Sequence, residues 1–203
     1  SWNEYLLCFQ EKTLSQIMFN SRVQIPTTDG VPIEIANSAK VEGARTLSET
    51  IGCHNKWSIV TSPYGLYFID ANTNDLYLFN GQLNNISQDR GMSWWVAQSV
   101  PSTVWSPIGD TNQNGLRAFC DYRYGDIYMS PGSYTDYEKE VPDALCYSEK
   151  LGQFTSLMSY GGVQAMFNFD NGFFSLKHDS GGNTLLYENN VGDYNNFYGT
   201  TKG

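Results

Sequence analysis

The residues most open to a chemical reading lie between positions 110 and 121. Asp110-Thr111-Asn112-Gln113-Asn114-Gly115 sets oxygen-bearing side chains at alternate positions before a glycine, and Asp121 stands at the twelfth place. This is the D-x-N-x-N-G spacing of a calcium loop, in which alternating oxygens wrap a hard cation and the glycine allows the sharp turn. Asp121 is one methylene shorter than the glutamate usual at the twelfth place, so bidentate closure is harder to reach. The residues that follow, Leu116-Arg117-Ala118-Phe119-Cys120, read as a strand where such a loop has an exiting helix. A structural turn is the favoured reading, and calcium on Asp110, Asn112, Asn114 and Asp121 is the alternative.

Two histidines, His54 and His178, are the imidazoles available for acid–base work near neutrality. Gly52-Cys53-His54-Asn55 lines up the groups of a thiol hydrolase. In such enzymes those groups meet through the fold, and neighbours on a strand point to opposite faces, so no catalytic residue is expected there. His178, before Asp179-Ser180-Gly181-Gly182, reads as part of a solvated turn. No Asp or Glu pair is marked by context for glycoside hydrolysis. Trp94, Trp95 and Trp105 are the interface or glycan candidates, because an indole face stacks on sugars and equally fills cores and subunit contacts. Gly161-Gly162 and Gly181-Gly182 lack the lysine and following helix of a phosphate loop and read as turns. Asn85-Ile86-Ser87 has the form of a glycosylation sequon.

Composition sets the frame for these candidates. The 203 residues include 14 Tyr, 11 Phe, 5 Trp and 19 Gly with only 16% charged residues, a β-rich profile without the Ala, Glu, Lys and Leu runs of long helices. Twelve Lys and Arg against 21 Asp and Glu give a net charge of −9, with no basic stripe to displace counterions from a phosphate backbone. Direct nucleic-acid recognition is therefore not expected. No apolar run is long enough to span a bilayer, and the N-terminus shows no signal-peptide pattern. The cysteines at 8, 53, 120 and 146 are far apart and form no zinc spacing. Three disulfide connectivities are open in principle, and reduced, mostly buried thiols are expected. The ends, Ser1 and Thr201-Lys202-Gly203, are those expected of a piece of a longer protein.

Short strands recur along the chain. Residues 1–20 predict two strands joined through Glu11-Lys12-Thr13, and Thr27-Thr28-Asp29-Gly30 is a turn between short β runs. Residues 42–50 are expected to form a short helix or ordered loop. Residues 57–61 read as a strand. Leu66–Asp70 and Asp75–Asn80 flank an Asn-rich turn and make a hairpin, because Asn tolerates the positive φ required there. Ser87 is placed to cap a short helix near 87–95. Further hairpins are predicted over 116–129, 144–160 and 164–177, with a last strand at 184–187. Strands punctuated every ~8–12 residues indicate a sandwich, barrel or propeller.

An imperfect repeat favours the propeller. Gly65-Leu-Tyr-Phe-Ile-Asp with Leu76-Tyr-Leu-Phe-Asn80 resembles Gly172-Phe-Phe-Ser-Leu-Lys with Leu185-Leu-Tyr-Glu-Asn189. Their separation is roughly two to two and a half blades of about 40–50 residues. A blade cannot cover both its faces alone, and stacking blades radially does. The predicted architecture is all-β with short antiparallel strands in a partial propeller. Residues 1–50 provide lead-in strands and a loop, and 51–203 the blades, all within one β-rich fragment.

The run Ile51-Gly-Cys-His-Asn-Lys-Trp-Ser-Ile-Val60, with Gly65–Asp70 and Asp75–Gly81, resembles the muzzle or stabilisation proteins of the short tails of crAss-like gut bacteriophages. Asp126-Ile-Tyr-Met129, Ala144-Leu-Cys-Tyr-Ser-Glu149 and Gln153-Phe-Thr-Ser156 continue the likeness, which covers about residues 45–200. The loop at 110–115 stands outside it. These are packing motifs, and no catalytic residue carries over with them. The resemblance implies a structural virion protein at the distal end of the tail, assembling in a ring with copies of itself and with other tail proteins. It would close the tail and retain internal cargo or DNA. A host-surface glycan-binding module of the tail is the alternative. No enzymatic activity and no cofactor are expected.

Overall fold

Asn- and Gly-containing turns cut the chain into strands of two to eight residues. A computed structural model describes residues 6–19, 22–25, 33–36, 41–99, 117–130, 144–158, 163–178, 183–192, 196–197 and 200–201. The strands are β1 (Leu6–Phe9), β2 (Leu14–Phe19), β3 (Arg22–Ile25), β4 (Ile33–Ala36), β5 (Val41–Ser48), β6 (Val60–Thr61), β7 (Leu66–Asp70), β8 (Asp75–Phe79) and β9 (Leu83–Asn85). After the short helices α1 (Ile86–Asp89) and α2 (Ser93–Ser99) come β10 (Arg117–Asp121), β11 (Asp126–Ser130), β12 (Ala144–Ser148) and β13 (Gln153–Met158). The series ends with β14 (Val163–Phe169), β15 (Gly172–His178), β16 (Thr184–Asn189), β17 (Asn196–Phe197) and β18 (Thr200–Thr201). The pairings among described strands are antiparallel. The fold is all-β, in small antiparallel sheets with two short helices. The chain divides into two compact units, residues 1–54 and 55–203.

In the first unit β1, β2 and β5 form one sheet in that order, and β3 pairs with β4. The two strands expected before residue 20 are present, joined through residues 10–13, where Gln10 N donates to Thr13 O at 2.9 Å. The Thr27–Gly30 turn lies outside the described residues. The expectation of a helix or loop over 42–50 is overturned: residues 41–48 are strand β5, registered against β2 with Arg45 opposite Gln16 and Ala44 opposite Ile17. Val41-Glu-Gly-Ala-Arg-Thr shows no clean alternation because β5 is an edge strand with mostly exposed side chains. Its conformation comes from hydrogen bonding to β2 more than from its own residues.

Three meanders dominate the second unit: β6-β7-β8-β9, then β10-β11-β12-β13, then β14-β15-β16. The middle one is covered on both faces. Ala118, Cys120, Ile127, Met129, Leu145 and Tyr147 share a core with Tyr67, Ile69 and Leu76 of the first meander. Residues of the opposite pleat, Tyr128, Ala144 and Cys146, share a second core with Met166 and Phe173 of the third. Strands buried on two faces lose alternation, which is why Ala144–Tyr147 reads as a continuous apolar run. Full burial of a side chain such as Phe173 or Ile127 contributes about 1.5–3 kcal/mol. The predicted hairpins at 66–79, 117–130, 144–158 and 163–178 all form. The two hairpins of the internal repeat are the second and third strands of the first and third meanders.

Two local expectations shift. Residues 56–58 form a 3-10 turn capped by the Asn55 side chain, so only Val60–Thr61 of the expected strand over 57–61 pairs. The cap of α1 is Asn85, whose Oδ1 accepts from Gln88 N at 3.0 Å, and not Ser87. Ser87 lies inside the helix, fully buried, and its hydroxyl donates to Asp75 Oδ1 at 2.7 Å. Asn fills the cap as well as Ser does, and packing against β8 sets the boundary. Ile86, Trp95 and Val96 carry both helices into the core shared by the first two meanders.

Candidate functional site: the seams between meanders

Polar side chains at strand ends tie one meander to the next. Asp121 ends β10 fully buried. Its Oδ1 accepts from Arg123 N at 3.0 Å and from Arg123 Nε at 3.4 Å, and its Oδ2 accepts from Asn190 Nδ2 at 3.1 Å. Arg123 reaches onward to donate to Asn189 O at 3.3 Å. Asn168 of β14 donates to Cys120 O and accepts from Tyr122 N. The seam between second and third meanders is thus apolar inside, where Tyr128 and Phe173 stack 5.5 Å apart, and hydrogen-bonded at its rim.

The calcium expectation meets this arrangement at one residue. Asp110, Asn112 and Asn114 lie outside the described residues. Both oxygens of Asp121 accept from protein donors, and the Arg123 guanidinium beside Oδ1 already supplies positive charge there. Among the described residues no group of three or more His, Cys, Asp or Glu could hold a metal ion.

The seam between first and second meanders carries a buried carboxyl. Glu149, just beyond β12, accepts from the Ser62 hydroxyl of the first meander, and Tyr122 OH donates to Thr61 O at 3.3 Å. Glu149 Oε2 is buried without a hydrogen-bond partner among the described residues. Burial raises the Glu149 pKa above its usual value, against the lowering effect of the Ser62 hydrogen bond and the nearby Tyr67 hydroxyl. The same burial, reinforced by Glu149, pushes the Tyr67 phenol up. Tyr67 and Tyr147 sit 5.8 Å apart across this seam.

The remaining candidates separate. Trp94 is 53% exposed, whereas Trp95 is 4% exposed inside the shared core, so the pair presents one indole to solvent and not two. Neighbours on a helix point about 100° apart, and only one can face the sheet. Trp105 lies outside the described residues. His54 sits at a bend in the first unit, half-buried, and Cys53 beside it is buried. His178 ends β15 in register with Thr184, a strand position where a turn was expected. The cysteines are free thiols, three buried and Cys8 half-buried, as expected. Burial pushes Cys120 up to about 12 and Cys146 up to about 11, which leaves them protonated and poorly nucleophilic. A cleft of about 510 Å³ is lined by Arg90, Met92, Leu145, Gln153, Phe154 and neighbouring β13 residues, with no carboxylate, imidazole or thiol in its lining. Among the described residues no helix is long and apolar enough to cross a membrane.

Sequence reasoning missed two of these features. Phe68-Ile-Asp70-Ala-Asn-Thr-Asn-Asp75-Leu-Tyr77 repeats 51 residues later as Phe119-Cys-Asp121-Tyr-Arg-Tyr-Gly-Asp126-Ile-Tyr128, a signal the sequence does hold. Glu149 has no such mark, since only the approach of Ser62 makes it a buried group.

Fold and seams together define an all-β module of small antiparallel sheets whose polar groups tie one sheet to the next. The family model for the crassvirus muzzle protein matches residues 1–179. A curated relative, the muzzle protein of Bacteroides phage crAss001, is 47% identical over 202 residues. That alignment takes in all of this chain and 14% of the relative. The chain belongs to the crassvirus muzzle protein family.

Proposed function

We propose that this chain is a structural, non-enzymatic piece of a phage virion, part of a muzzle assembly at the distal end of the tail. In this reading it works by packing, as a run of propeller-like blades within a larger ring built with copies of itself and other tail proteins. The assembly closes the tail and retains its contents until infection. Membership of the muzzle family carries the proposal. The stack of three meanders supports the blade reading, since each is too thin to cover its own faces and the 51-residue interval between Asp70 and Asp121 is close to one blade. The protein-donated hydrogen bonds at Asp121 support a module that folds without metal.

The test is location. An antibody raised against this chain and used for immunogold labelling of purified particles is expected to mark the tail tip, with the chain's peptides present in their digest. Peptides missing from particles, or label confined to the capsid, overturn the proposal.

A further inference from the structure

The third meander has one covered face and one open face. Met166 and Phe173 lie in the core shared with the second meander. On the opposite face the register sets Phe167 against Phe174 and Leu176 against Leu186, with Phe169 at the turn. Phe167 is 40% exposed, Leu186 59% and Phe169 70%, and the Phe167 and Phe174 rings stack at 5.9 Å. A contiguous apolar sheet face of this kind is a contact surface or an aggregation hazard.

Four observations select what covers it. The two seams already present in the unit are sheet on sheet, and the second meander shows that a sheet of this type is buried on both faces when complete. The seam with Phe173 stacks that ring on Tyr128 of the second meander, with Ala144 and Cys146 beside it. Two copies meeting through the open face would bring Glu188, opposite Phe174 on that face, toward its own copy. A head-to-tail copy would need the far face of the first meander, and Leu66, Phe68, Tyr77 and Phe79 there are no more than 6% exposed. The chain spans only 14% of the related muzzle protein, so a polypeptide of this family has further chain to offer.

We infer that the open face of the third meander seats a further antiparallel sheet from elsewhere in a muzzle polypeptide, packed over Phe167 and Phe169. The inference rests on the chain's place in a muzzle assembly. Photo-crosslinking in purified particles tests it, with p-benzoylphenylalanine in place of Phe169 and the linked peptides read by mass spectrometry. Links to muzzle peptides outside residues 1–203 are expected. Links to residues 163–189 of a second copy, links to another tail protein, or no link at all overturn it. Absence of the chain's own peptides from the particles is a distinct result, which sinks the virion reading itself. Phe169→Asp provides a second measure: the isolated chain should melt within about a degree of the parent, because the side chain is exposed there, while incorporation into particles falls at least about tenfold. Unchanged incorporation overturns the seat.

Discussion

Asp70 and Asp121 occupy the same post in two hairpins, β7–β8 and β10–β11, of successive meanders. Each ends the first strand of a hairpin, each is fully buried, and each accepts from the backbone N–H two residues on, Asn72 N at 2.8 Å and Arg123 N at 3.0 Å. Five residues later the partner strand opens with another aspartate in register, Asp75 and Asp126. The residue before that aspartate has positive φ in both turns, 54° at Asn74 and 71° at Gly125. Asp121 adds a bond across the seam to Asn190, and that bond turns a hairpin device into a joint between sheets.

Asp121→Ala is expected to destabilise the chain by about 2–4 kcal/mol, since buried donors lose their acceptor. Asp121→Asn, which keeps an acceptor for the turn, should lose about half of that. A double-mutant cycle with Asn190→Ala, read by urea denaturation, should show coupling of about 1 kcal/mol. Additive losses would deny the joint.

Two glycines should fail for different reasons. At Gly125 a Cβ meets nothing closer than 3.7 Å, and the demand is the φ of 71°. Gly125→Ala should therefore lose about 1–2 kcal/mol and Gly125→Asn less, because Asn tolerates the left-handed region. At Gly65 a Cβ would lie 2.4 Å from Leu78 Cδ1 and 2.9 Å from Phe79 O. Gly65→Ala should lose about 1–3 kcal/mol and Gly65→Asn more. Equal tolerance of Asn at both sites in thermal melts would contradict this.

Glu149 gives the fold a pH dependence of defined sign. Its pKa is raised in the folded chain by burial, so the folded state holds that proton more tightly than the unfolded one. Stability from this group is present at acid pH and is lost as pH rises from the unfolded value through the folded one. Glu149→Gln keeps an acceptor for Ser62 and removes the charge. Its melting temperature should match the parent near about pH 4 and exceed it near about pH 7. A variant less stable than the parent at neutral pH would mean that the carboxylate is stabilised in the seam.

The thiols should be silent in the native chain. With Cys120 pushed up to about 12 and Cys146 up to about 11, alkylation near neutrality should be at least about a hundredfold slower than after unfolding. Cys8, the half-buried one, should label first. Rapid native labelling of Cys120, mapped by mass spectrometry, would show that the seam opens.

Calcium should leave the melting temperature unchanged. A ligand that binds only the folded state raises it by mass action. A clear rise in saturating calcium, reversed by chelator, would return Asp121 to the ligand role suggested by its spacing.

The sequence determined the strands and their turns, because side-chain alternation and Asn or Gly at positive φ are local properties of the chain. It also held the 51-residue echo of Asp70 in Asp121, since equal turns demand equal residues. Strand β5 was not legible, for an edge strand with exposed side chains takes its hydrogen bonds from β2 and leaves little pattern of its own. Trp94 and Trp95 are chemically the same, and only the packing of α2 against the first meander decided which is buried. Only tertiary structure made Glu149 a buried seam group and left Phe169 at a sheet face without cover, because burial is fixed by neighbours distant in sequence.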